Sequence, residues 1–359
     1  MKLFEVRKDR LDETRMEQRD FPSVGDGEVL LAVDRFAFTA NNITYAVFGE
    51  TMRYWDFFPS GEEGWGVVPV WGFADVVVSR CEGIEPGERF YGYYPMASHL
   101  KVRPARVGRS GFTDDSAHRR ELPAVYNRYT RTSADPGYRE ELEAQQMLYR
   151  PLFMTSFLLD DFLAAEDFFG AREVVLTSAS SKTAFGLAFL LHSQRKPGIE
   201  IRGLTSGGNV DFVNALGCYD TVHPYDAVEE LPGEHPTLLV DFAGNTKLRR
   251  AIHEHYGDAL TYSCSVGASH WDQAAGGGEL PGPKPILFFA PSWVEKRMTD
   301  WGPGGIEERV AAAWQAFLTA SRDWLEIRED RGEEAVERIY RRTLAGDMPP
   351  RAGQILALA

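Results

Sequence analysis

Residues 173–186, Glu-Val-Val-Leu-Thr-Ser-Ala-Ser-Ser-Lys-Thr-Ala-Phe-Gly, pass from a short apolar run through a knot of small hydroxyl residues into a second apolar stretch. That pattern predicts a buried strand turning sharply into a helix. A helix entered this way presents unpaired backbone N–H groups and the positive end of its dipole, which together favour an anion. The hydroxyls of Ser180, Ser181 and Thr183 add donors, and Lys182 adds a charge. A lysine in a first helical turn opposes the dipole unless an anion accompanies it. Two readings stand: an anion cradle formed by Ser178, Ser180, Ser181, Lys182 and Thr183, or a serine-capped junction with Lys182 in solvent. Lys182-Thr183 lacks the upstream glycine of a phosphate-binding Gly-x-x-x-x-Gly-Lys-Thr loop, so that motif is rejected.

Outward from this stretch the chain alternates. A helix is expected over 152–169, then strand 173–178, helix 182–194, strand 200–205, helix 210–216 and strand 220–223. Strand 237–241, helix 246–256, and strands 259–265 and 285–289 complete the run. Six strands separated by helices predict a doubly wound parallel sheet. Beyond it lie expected helices over 306–326 and 333–344 and a strand-like tail, 350–358. Upstream, 28–38, two short strands about Gly72 and an aromatic strand ending at Tyr94 suggest a compact β barrel. Residues 103–146 are polar and carry Gly111, Pro123, Pro136 and Gly137. They read as a long excursion with a little helix over 140–148: a lid, an oligomer contact or a partly ordered surface insertion.

The 359 residues allow two domains. A formal charge of −14 argues against a nucleic-acid partner, and no apolar run is long enough for a membrane partner. The first ten residues lack a signal-peptide core, so a cytoplasmic location is expected. Cys81, Cys218 and Cys264 are too dispersed to build a disulfide framework or a thiolate zinc site.

Five segments, in order, carry a family resemblance: Ala40–Gly49 with Thr44, Tyr45 and Gly49; Gly83–Gly92; Val174–Gly186; Leu238–Gly244; and Arg351–Leu356. The chain resembles the medium-chain dehydrogenase/reductase superfamily, in its zinc-free quinone oxidoreductase and enoyl reductase branch, and within it the DUF2855 family. The resemblance implies an α/β protein in three parts. Residues 1–150 form a GroES-like β-rich domain, 151–325 a Rossmann domain with a six-stranded doubly wound sheet, and 326–359 a segment returning to the first domain. Where zinc relatives carry Gly-His-Glu, this chain has Val68-Pro-Val-Trp-Gly-Phe73, so no metal site is expected.

The resemblance also implies a dinucleotide at the serine-rich turn, with Ser178, Lys182 and Ala184 standing where glycines are usual. NAD sites place an acid at the end of the second strand, but here Thr205-Ser-Gly-Gly-Asn209 carries none. Ser206 and Asn209 suit NADP(H) better, although no arginine follows. Ala243, Gly244, Val266 and Gly267 fall on the loops nearest the nicotinamide ribose. Tyr45 and Tyr54 are candidates to donate to the substrate oxygen, with Asn42 orienting the substrate. The expected activity is NADPH-dependent reduction of an α,β-unsaturated carbonyl or quinone-like small molecule by zinc-free hydride transfer. A lyase or isomerase without net redox change, and a non-catalytic NADP(H)-sensing protein, remain the alternatives. A homodimer through strand 285–289 is implied by analogy.

Overall fold

The computed structural model describes residues 1–193, 198–266, 280–302 and 304–358. It divides into two units, Met1–Leu148 with Leu325–Ala359, and Tyr149–Trp324.

In the first unit Lys2–Arg7 sits between Thr14–Gln18 and Trp65–Gly66 in a three-stranded antiparallel sheet. The larger sheet runs Glu326–Arg331, Ala352–Ala357, Val29–Ala37, Pro69–Ser79, Arg89–Pro95, Arg128–Arg131, Gly111–Asp114 and Pro104–Gly108, with His99–Val102 also on Val29–Ala37. Its core gathers Leu31, Val33, Phe36, Val70, Phe90 and Tyr129. The tail pairs antiparallel with Val29–Ala37 through Ile355↔Ala37 and Leu356↔Phe36.

Three expectations change here. Pro69–Ser79 is one strand, not two about Gly72: a Cβ at Gly72 would lie 2.5 Å from the Arg35 carbonyl oxygen, so glycine lets the neighbouring strand come close. Residues 103–146 are not an excursion. They supply three strands to the sheet and fold about Arg119, whose guanidinium is buried and bonds Asp114 at 3.0 Å, Asn127 Oδ1 at 2.8 Å and the Tyr126 carbonyl at 2.6 Å. Polar composition misled because those polar side chains form an internal node rather than a solvated face. The charged stretch Glu326–Arg331, given no element of its own beyond the end of the expected helix 306–326, is an edge strand lying parallel to Ala352–Ala357.

Helix Glu143–Ala165 runs through Pro151, where the sequence suggests a break, and joins the two expected helices into one. Its first turn is fixed by Glu143, which accepts from Arg89, Arg35 and Tyr138 at 2.7–2.9 Å.

The second unit holds six parallel strands in the order Thr221–Pro224, Glu200–Thr205, Glu173–Leu176, Thr237–Asp241, Leu260–Ser265, Ile286–Leu287. The earliest strand in sequence is central, so chain direction across the sheet reverses beside it. Crevices at such reversals are where open α/β sheets take ligands. The strands are apolar on both faces, as a covered parallel sheet requires. Among the buried polar residues on them is the pair Glu173–Arg202, with two contacts of 3.0 and 3.2 Å. Helix Ala290–Trp301, absent from the sequence reading, follows the short edge strand Ile286–Leu287, both of whose side chains are exposed.

Candidate functional site

The turn after Glu173–Leu176 is built by backbone geometry first. Ser178 adopts φ +51°, the left-handed conformation that glycine holds most cheaply. Ala179 N–H then bonds the Leu204 carbonyl at 3.0 Å, and Ser181 N–H bonds the Ser178 carbonyl at 2.7 Å. Ser181 Oγ accepts the Ala184 N–H at 3.3 Å and so caps helix Lys182–Ser193. Helix and turn are kept close by small groups. Ser156 Oγ donates to the Thr183 carbonyl at 2.8 Å, and a Cβ on Gly186 would lie 2.8 Å from the Ser156 hydroxyl oxygen.

The predicted cofactor residues divide by occupation. Ser180 is tied to the second strand's end, since its hydroxyl contacts Thr205 Oγ1 at 3.3 Å and accepts from Asn209 Nδ2 at 3.2 Å. Ser206 is exposed beside them. Lys182 is half-buried, and among the described residues its ammonium has no hydrogen bond or ion pair. Burial pulls its pKa down to about 8. A partly desolvated cation without a counter-charge is costly, and an anion would relieve that cost. No carboxylate stands at Thr205–Asn209 to repel one.

Across the reversal, Asp241 is the residue the sequence reading undervalued. Its Oδ1 accepts from Thr177 Oγ1 at 2.7 Å and from the N–H groups of Ala243 and Gly244 at 3.0 and 3.2 Å, while Oδ2 accepts Arg249 Nε at 2.8 Å. Thr177 Oγ1 in turn accepts from Phe242 and Ala243 N–H at 2.9 and 3.0 Å. The loop at Ala243 and Gly244 is therefore shaped by its own carboxylate, and both N–H groups are engaged internally rather than offered outward. Val266 N–H bonds the Asp241 carbonyl at 3.0 Å, and Gly267 lies outside the described residues. Tyr225, also missed, faces Ser178 from the turn after Thr221–Pro224.

In the first unit the structure brings Tyr45 and Tyr54 together, with ring centroids 4.6 Å apart. They belong to an aromatic cluster with Trp71, Tyr93, Tyr126 and Phe57. Tyr45 is placed by helix Ala40–Val47, Tyr54 by the turn Tyr54–Phe57, and Tyr126 by the turn Ala124–Asn127. Trp71 Nε1 donates to the Tyr45 hydroxyl at 3.3 Å, and the Tyr54 and Tyr126 hydroxyls are 3.3 Å apart. Burial raises the pKa of Tyr45, Tyr54 and Tyr126 above the ordinary phenol value, so all three are protonated at neutral pH. Neutral phenols can donate to a developing oxyanion.

Asn42 does not take the substrate-orienting role expected of it. It is buried, its Oδ1 accepts Thr39 N–H at 2.8 Å in a capping box, and its Nδ2 donates to the Pro69 carbonyl at 2.9 Å. Both ends of the amide are committed to holding the helix that carries Tyr45. Tyr126 had no motif to mark it; only its neighbours in space do.

Among the described residues no three His, Cys, Asp or Glu side chains converge as a metal ligand set. No described helix is long and apolar enough to cross a membrane.

Solved structures share the fold at low identity. CurA in complex with NADPH from Vibrio vulnificus matches with a TM-score of 0.62 at 11% identity, over 100% of this chain and 99% of that one. The quinone oxidoreductase from Thermus thermophilus, described with its NADPH complex, gives 0.54 at 14%, over 96% of each. The CurK enoyl reductase gives 0.53 at 11%, over 97% and 96%. No curated protein matches the sequence. The family model described as "Protein of unknown function (DUF2855)" matches residues 36–349. With that match spanning most of its length, the chain belongs to the DUF2855 family.

Proposed function

We propose that this protein is an NADPH-dependent oxidoreductase reducing a conjugated carbonyl, an enone or a quinone-like small molecule. The observation that carries the reading is Ser178 at φ +51° in the turn from the central strand, with Lys182 unpartnered among the described residues four positions on. The chain holds a glycine-type turn without the glycine, at the sheet reversal, next to a cation that lacks an anion. A diphosphate supplies what is missing. Similarity to proteins solved with NADPH supports the same choice of ligand.

Ser181, Lys182 and Thr183 would hold the diphosphate, and Ser206 with Asn209 the 2′-phosphate side, where no acid opposes a further negative charge. When bound, the nicotinamide supplies a hydride. The protein's own part is to orient the groups, and the un-ionised Tyr54, backed by Tyr45, would donate to the substrate oxygen as it gains charge.

Fluorescence titration with NADPH and NADH tests the binding step. The wild type is expected to bind NADPH more tightly than NADH. Lys182→Ala should weaken NADPH by roughly 10-fold, the worth of one charge-assisted hydrogen bond. No binding of either nucleotide at millimolar concentration sinks the proposal. NADPH binding without oxidation against a panel of enones and quinones would instead indicate a sensor.

A further inference from the structure

The Tyr54–Tyr126 hydroxyl pair contains two protons, and the 3.3 Å contact between its oxygens uses one of them. Among the described residues no other acceptor takes the second. Tyr54 and Tyr126 are half-buried residues, whereas Tyr45 and Tyr93 of the same cluster are buried. Tyr126 is held there from two sides. Its ring packs on Tyr93 at 4.7 Å and Phe57 at 5.2 Å. Its backbone carbonyl is gripped by Arg119, itself anchored on Asp114 in the interior. A buried ion pair is an expensive way to fix a surface turn, and fixing a side chain in place is a reason to retain one.

We infer that Tyr126 is a substrate-contacting residue which shares with Tyr54 a single hydroxyl donor, and that the site it completes takes an uncharged, flat, aryl-conjugated carbonyl. This rests on the reductase reading above. Aromatic faces and a neutral donor can hold a planar ring and one carbonyl oxygen. A carboxylate on the ring would enter with no unpaired cation, since Arg119, 5.4 Å over the Phe57 ring, is taken by Asp114. Among the described residues no Lys or Arg side chain contacts either hydroxyl, and the exposed Arg53 nearby is neutralised by Asp56 at 2.8 Å.

The paired hydroxyls give the proposal a distinctive signature. Removing either one frees the proton of the other, so each single change is buffered and the double change is not. Steady-state NADPH oxidation should be measured with benzylideneacetone, and with the same ketone carrying a ring carboxylate, for wild type, Tyr54→Phe, Tyr126→Phe and the double variant. Each single variant is expected to lose less than about 5-fold in kcat/KM and the double more than about 50-fold, with the melting temperature of Tyr126→Phe little changed. The carboxylated ketone should be a poorer substrate by about 10-fold or more in the wild type. Additive losses, an unimpaired double variant, or equal turnover of the two ketones overturns the inference and leaves the reductase reading standing. If wild type turns over neither ketone, quenching of tryptophan fluorescence by benzylideneacetone decides. Saturable quenching lost in the double variant keeps the site and removes the reductase reading. No saturable quenching removes the site.

Discussion

A serine in the left-handed region sits about 1 kcal/mol above a glycine in the same conformation, because its Cβ crowds the backbone. The backbone bonds that shape the turn do not use the Ser178 hydroxyl, whose interaction is with Tyr225. Ser178→Gly is therefore expected to stabilise the protein by about 0.5 kcal/mol, part of the gain being offset by the freer unfolded chain. NADPH affinity should change less than about 3-fold, since the turn needs the backbone conformation rather than the hydroxyl. Ser178→Val should destabilise by more than about 1 kcal/mol. Chemical denaturation of the three proteins checks the order. The sequence shows hydroxyl residues where glycines are usual, but it cannot show that the backbone still adopts the glycine conformation. For that reason residues 178–183 read in the sequence as a cradle or as a plain cap. Asn42 shows the opposite difficulty: a polar residue beside a candidate tyrosine looks like chemistry until its amide is found capping a helix.

Elements were legible where burial imposes a period. The central strands of the parallel sheet are covered on both faces, so Val174–Leu176 and Leu238–Val240 announce themselves as apolar runs. Glu326–Arg331 carries the opposite signal because an edge strand meets water, and its five charged residues offer no apolar run to read. Residues 103–146 failed for a third reason: their organising residue is a buried arginine, which no periodicity reveals. That node has a measurable cost. Arg119→Met leaves the Asp114 carboxylate without its partner in the interior and should destabilise by about 3–5 kcal/mol. Arg338→Ala, which breaks the exposed pair with Asp330, should cost less than about 1 kcal/mol. Urea unfolding of both variants compares them directly, and near-equal losses would show that the node is not a keystone of this segment.

For the whole molecule, the dependence of stability on pH carries a mark of one residue. Asp160 is buried in helix Glu143–Ala165, and burial, reinforced by Asp161, raises its pKa to about 7. A carboxyl whose folded pKa exceeds its unfolded value favours the folded state fully only below the unfolded pKa, near 4. That contribution is lost as pH rises towards 7. Asp160→Asn should therefore gain stability on the order of a few kcal/mol at pH 8, relative to wild type, and little at pH 4. Buried His253 acts in the other sense. Its pKa is lowered by burial, so its contribution is present above about 6.5 and fades as acid charges the unfolded chain. Thermal melts across pH 4–8 separate the two, and an unchanged profile in Asp160→Asn would refute the assignment.

The strand Ala352–Ala357 lies between Glu326–Arg331 and Val29–Ala37, so the barrel-like unit begun by the earliest residues is closed by almost the latest. On a ribosome delivering roughly 5–20 residues per second, Val29–Ala37 waits for tens of seconds before that neighbour exists. Tyr149–Trp324 is by then fully synthesised and can fold around its own sheet. Phe36 and Ala37 therefore keep one edge unpaired until Leu356 and Ile355 arrive, while His99–Val102 already covers Val29–Ala32.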